Sequence, residues 1–141
     1  MADHSPPVAN APAAQRRSFR WGRVVLAAIL MELVLFVIAA AAYFLPNGQN
    51  ALLYVIPPAC LIVSGYFGYW AARGAGNRFV LHGTVVGLIA AVVYIGLTWG
   101  RDLPMAYMIS HALKVIGGAA GGFIAQRGAA QGTDTLRSPA P

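Results

Sequence analysis

Two residues of opposite charge stand inside long apolar stretches of this chain. Glu32 is the only charged residue between Val24 and Leu45, and Lys114 lies between Leu103 and Ala125 together with His111. An ionisable group in hydrocarbon costs roughly 2.5–3.5 kcal/mol on insertion scales, so each is a candidate for function. At helical rise, Glu32 lies about 12 Å in from Val24 and Lys114 about 16 Å in from Ala125. Both depths are counted from the same side, so an ion pair between the two stretches relieves the burial of both charges. One reading of that pair is structural glue that orients the first stretch. The other is a proton- or ion-coupled site that includes His111, which sits one turn before Lys114 on a face shared with Tyr107 and Gly118.

Familiar catalytic patterns are missing from the sequence. It contains no H-E-x-x-H, no G-x-S-x-G and no phosphate-binding P-loop. Glu32 is the one carboxylate within the apolar stretches, so catalysis by paired acids has no second acid. Ser64 and Ser110 lack a partner base and are expected to bond to their own helix backbone. Cys60 is the single cysteine, which excludes an intramolecular disulfide and a cysteine-based metal site. It reads as an inert buried thiol. His4, His82 and His111 are not at ligand spacing. The expectation is no metal, no cofactor and no enzymatic activity.

The elements that position these residues follow from composition. The chain has 141 residues, 58% hydrophobic and 10% charged, with mean hydropathy +0.62. A soluble domain carries roughly 25% charged residues. Four apolar stretches, 24–45, 51–72, 79–99 and 103–125, each reach the roughly 20 residues that cross a bilayer as a helix. A helix also satisfies its own backbone polar groups in lipid. The first stretch exceeds the roughly 7–15 apolar residues of a signal peptide. The links Pro46–Asn50, Arg73–Arg78 and Gly100–Asp102 are too short for anything but antiparallel neighbours. The sequence therefore predicts an all-α membrane protein with four transmembrane helices arranged as two antiparallel hairpins, spanning residues 22–127. Residues 1–21 and 128–141, rich in Ala, Pro and Ser, read as disordered tails.

The formal net charge of +6 is mostly topology. Arg16, Arg17, Arg20, Arg23, Arg73, Arg78, Arg127 and Arg137 fall on one side of the four stretches, and Arg101, beside Asp102, falls on the other. That asymmetry puts both termini in the cytoplasm. Arginines that flank apolar runs, without interleaved aromatics, exclude a nucleic-acid groove. The partners expected are the lipid bilayer and a second copy or another membrane protein.

Small residues predict how the helices meet, because apolarity alone does not drive association in lipid. Ser64 and Gly68, then Gly83, Gly87 and Ala91, then Gly117 and Gly121 form stripes at spacing four, and Gly118 and Gly122 double the last one. These G-x-x-x-G-like stripes fit contacts within the chain or between copies. The first helix is bulky up to Ala39–Ala42 and reads as more peripheral. Pro57 and Pro58 predict a kink in the second helix. Residues 68–75 partly repeat as 122–129, which suits a duplication of one hairpin.

The segments Gly65–Gly68, Ala71-Ala72-Arg73 and His82-Gly83 through Gly87, with the Gly-Gly pairs of the last stretch, carry a resemblance. They are similar to a family of small bacterial four-helix inner-membrane proteins that shows an AAR…HGxxxG turn and a Gly-rich last helix. The resemblance covers residues 60–127 and implies four spans in a bacterial inner membrane, with no activity attached. Residues 28–33 also look like the first-helix segment of small multidrug-resistance transporters, but Lys114, Pro57-Pro58 and the glycine stripe depart from that pattern. The function expected is a non-enzymatic accessory or structural membrane factor. The competing expectation is a small proton- or ion-coupled transporter or channel that uses Glu32, His111 and Lys114.

Overall fold

The computed structural model describes residues 19–99 and 105–135. They form four helices, α1 Trp21–Tyr43, α2 Gly48–Ala72, α3 Phe79–Leu97 and α4 Met105–Thr135. Each is long and apolar enough to cross a membrane. His4, Arg16, Arg17, Arg101, Asp102 and Arg137 lie outside the described residues.

The helix bounds differ from the sequence reading at both ends of the chain. The start of α1 moves back to Trp21, and Phe19, assigned to a tail, packs on the core. It stacks on His82 with ring centroids 4.0 Å apart, an apolar contact that a solvated tail would forgo. At the other end α4 continues from Ala125 to Thr135. Residues 126–131 are exposed there. No proline interrupts this Ala-containing stretch before Pro139, so nothing forces the helix to stop where the apolar run does.

Packing is tightest around α4. A Cβ added to Gly117 or Gly121 would meet backbone of α2, at Leu61 and at Gly65 respectively. One added to Gly118 or Gly122 would meet backbone of α3, at Gly83 and at Phe79. The doubled glycine stripe therefore serves two neighbours, one line of glycines for each. Pairing of 61 with 117 and 65 with 121 rises together along α2 and α4. Pairing of 79 with 122, 83 with 118 and 87 with 114 runs in opposite senses along α3 and α4. Backbones come this close only where no side chain intervenes.

Helix α1 joins through a different surface. Val24, Ala27, Ala28, Met31 and Leu35 are buried, the i, i+3, i+4, i+7 stripe of a packed helix face. It rests on α2 and α3, and among the described residues its backbone makes no contact within 8 Å of α4. At the arginine end, Arg20 Nη1 donates to the Gly74 carbonyl at 3.4 Å and Arg23 lies over the Trp70 ring at 4.5 Å.

Helix α2 runs unbroken through Pro57 and Pro58. Neither proline has an N–H, so the carbonyls of Leu53 and Tyr54 lose their usual partners four residues on. The expected kink is thus not a break in the helix.

Two residues before helices take the left-handed backbone conformation, Asn47 at φ 61° and Arg78 at φ 53°. Asparagine tolerates it, whereas arginine pays roughly 1–2 kcal/mol for its Cβ. Arg78→Gly is expected to raise stability by about 0.5 kcal/mol after the extra freedom of the unfolded chain is subtracted. The midpoint of detergent unfolding measures it.

Candidate functional site

The glycine contacts close one half of the bundle, and the other half stays open. A cavity of about 550 Å³ lies there, lined from all four helices. Its walls include Leu33 and Phe36 of α1, Leu52 and Ile56 of α2, Leu97 of α3 and Tyr107 of α4. These residues belong to the halves remote from Arg20, Arg23, Arg73, Arg78 and Arg127. The cavity reaches as far as Leu97, the last residue of α3.

At its floor stands the charged pair. Lys114 Nζ donates to Glu32 Oε1 at 2.5 Å. Glu32 is the middle residue of the 23-residue α1, and Cys60 is the middle residue of the 25-residue α2. Because α1 and α4 have no backbone contact, these two side chains bridge them across the open half. The Lys114 side chain is 3% exposed and that of Glu32 is 21% exposed. Lys114 is further held over the Tyr94 ring, with Nζ 5.0 Å from its centroid, a placement that favours a cation over the ring face.

Tyr94 links the pair to His111, with ring centroids 4.7 Å apart. His111 is 7% exposed, and neither of its ring nitrogens has a hydrogen-bond partner among the described residues. A buried imidazole without partners is uncommon, because desolvation without a hydrogen bond is costly. Ser110 Oγ donates to the Ala106 carbonyl at 2.8 Å and Ser64 Oγ to the Leu61 carbonyl at 3.2 Å, so both hydroxyls bond to their own helix.

The structure brings Glu32, His111 and Lys114 to one place. Ser64, Gly68, Gly83, Gly87, Ala91, Gly117, Gly118, Gly121 and Gly122 are all buried; Gly87 stands level with Lys114, Ala91 lies one turn beyond it toward the open half, and the others lie toward the closed half, below that floor. Pro58 is exposed and Pro57 half-buried, beside the wall residue Ile56. His82 lies away from the cavity, with Nδ1 3.0 Å from the Arg78 carbonyl. Sequence reasoning placed Cys60 in the buried interior, where it is 1% exposed, but missed that it lines the cavity. It also missed Phe36 as a wall. Tyr94 had a signal, lying seven residues beyond Gly87 on the same helical face.

Comparison with models of known families, with curated proteins and with solved structures finds no match. What the site can do follows from its own groups. Among the described residues no cluster of three His, Cys, Asp or Glu side chains is placed to hold a metal ion. The chemistry on offer is charge pairing and proton exchange at the floor of an apolar chamber. Its polar groups are one carboxylate, one ammonium, one imidazole without a hydrogen-bond partner, the hydroxyls of Tyr94, Tyr107 and Ser110, and the Cys60 thiol.

Proposed function

We propose that this chain is a four-span protein of a bacterial inner membrane, built as two antiparallel hairpins with both termini cytoplasmic. Its working part is a vestibule on the extracytoplasmic side that binds a small solute coupled to proton exchange. The observation that carries this reading is the Glu32–Lys114 pair, which bridges two helices without backbone contact across an open cavity. A pair that served only as glue would sit in a packed interface. The gathering of Arg20, Arg23, Arg73, Arg78 and Arg127 at the opposite end supports the orientation. The AAR…HGxxxG turn supports membership of the small four-helix family. The closed, glycine-packed half favours a second reading, a scaffold or accessory factor whose helices pack against a partner or a second copy.

Cysteine labelling separates the two. In a Cys60→Ala background, Leu52→Cys and Tyr107→Cys, both partly exposed on the cavity wall, are expected to react with a membrane-impermeant thiol reagent added from the side opposite the arginines. Val86→Cys, fully buried in the closed half, is expected to stay unlabelled. Silence at all three positions rejects the vestibule and leaves the scaffold.

A further inference from the structure

We propose that the vestibule takes a carboxylic acid with an apolar body, with Lys114 as its counter-ion and Glu32 as the acceptor of its proton. This rests on the vestibule reading and adds the ligand class and the exchange that admits it.

The two partners of the ion pair are not equally held. Lys114 is nearly sealed, at 3% exposed, and its backbone is pinned to α3, where a Cβ on Gly87 would meet the Lys114 carbonyl. Glu32 is the more open partner, at 21%, and comes from the helix whose backbone does not touch α4. The cation is therefore the fixed half and the carboxylate the exchangeable half. A site whose fixed group is an ammonium selects an anion, and Glu32 holds the position that another carboxylate would fill.

A second observation points the same way. His111 is 93% buried by its 7% exposure, lines the cavity and has no partner on either ring nitrogen. A neutral imidazole carries one N–H, which suits the second oxygen of a bound carboxylate. Lys114 meets Glu32 from α1 and Tyr94 from α3, and the other titratable groups lining the same cavity are Cys60 from α2 and His111 and Tyr107 from α4 itself. Of these only Glu32 bears a negative charge at neutral pH.

Charge balance then fixes the exchange. The pair is neutral, and an added anion would leave an uncompensated charge among apolar walls. The acid's O–H bond breaks, its proton passes to the Glu32 carboxylate, and Glu32 Oε1 leaves Lys114 Nζ. The ligand carboxylate takes the vacated hydrogen bond. No electron moves, and the floor is neutral before and after. The aromatic and aliphatic walls, Ile29, Leu33, Phe36 and Ile56, receive the apolar body.

The test uses the full chain in micelles and three probes with one body: 4-tert-butylbenzoate, 4-tert-butylbenzylamine and 4-tert-butylbenzyl alcohol. Titration calorimetry between about pH 7 and 9, in buffers of different ionisation enthalpy, reads affinity and proton count together. The benzoate is an anion in that range, so its binding is expected to take up about one proton. Its affinity should fall about tenfold per pH unit as pH rises. Amine and alcohol should bind about tenfold more weakly or worse. A second readout is chemical rescue: the benzoate should raise the unfolding midpoint of Glu32→Gln more than that of the unaltered chain. Absence of benzoate binding, binding without proton uptake, or equal binding of the amine overturns the proposal. If the vestibule cysteines still label in that case, only the ligand class falls. If they do not, the vestibule falls with it.

Discussion

Glu32→Gln is expected to lower stability by about 3 kcal/mol or more, the largest loss for any single side-chain change that leaves the volume nearly unaltered. The substitution keeps the shape of the side chain and removes only its charge. Lys114 is then a cation, 3% exposed, with a ring face beside it and no counter-ion. Breaking a buried pair from one side is worse than never having it, because the remaining charge keeps its desolvation penalty. Lys114→Met is milder, about 1–2 kcal/mol, since Glu32, at 21% exposed, is less desolvated than the sealed ammonium. The double variant Glu32→Gln/Lys114→Met carries no charge at all and is expected to recover to within about 1 kcal/mol of the starting protein. The coupling between the two positions is then about 3–5 kcal/mol in a double-mutant cycle followed by unfolding in mixed micelles. If the double variant falls by the sum of the singles, the two residues do not act as a pair. Few other contacts tie α1 to α4, so the loss should also show as increased protease access to α1.

The length and apolarity of four helices able to cross a membrane explain why so much of this architecture was legible. A helix that crosses lipid must satisfy its own backbone and stay apolar for about 20 residues. The four long helices therefore stand in the sequence almost as they stand in space. The same restriction makes Glu32 and Lys114 conspicuous, and their depths follow from counting along a helix. Distances within one helix are simple to derive, and the face shared by Tyr107, His111, Lys114 and Gly118 came from spacing alone. Distances between helices are not. The cavity arises because glycines draw α2, α3 and α4 together in one half only, while larger side chains keep the other half apart. Its volume depends on how four helices diverge, and no single segment carries that information. Cys60 illustrates the limit: it is the buried thiol the sequence predicts, and its place in the cavity wall with Ser110, Glu32 and Lys114 depends on contacts between helices. In α1 the contact face combines the small pair Ala27 and Ala28 with the bulkier Val24, Met31 and Leu35, so no stripe of small residues marks it in the sequence.

Gly118→Leu is the second large effect, and it tests the closed half as Glu32→Gln tests the open one. Gly118 stands where three helices meet. A Cβ on Gly68 would come within 2.6 Å of the Gly118 carbonyl oxygen. A Cβ on Gly83 would collide with the same carbonyl, and one on Gly118 itself would collide with the Gly83 carbonyl. The obstacles are backbone atoms, so they cannot rotate aside as a flexible side chain would. A leucine there must push α4 away from α3 or tilt it from α2. Overpacking costs typically 1–3 kcal/mol where side chains can give way, so about 3 kcal/mol or more is expected here. The change is apolar for apolar, which leaves lost helix packing as the source of the loss. Gly96→Leu and Gly128→Leu provide the comparison, because a Cβ at either position meets nothing within 4 Å. Both are expected within about 0.5 kcal/mol of the starting protein. Lys114 lies one turn before Gly118 on the same face, so displacement of α4 should also move the ammonium from Glu32. The leucine variant should therefore lose selective labelling of Tyr107→Cys over Val86→Cys as well as stability. If it unfolds no more readily than Gly96→Leu and keeps that labelling pattern, α2, α3 and α4 are not packed through these glycines. The charged floor would then need some other support.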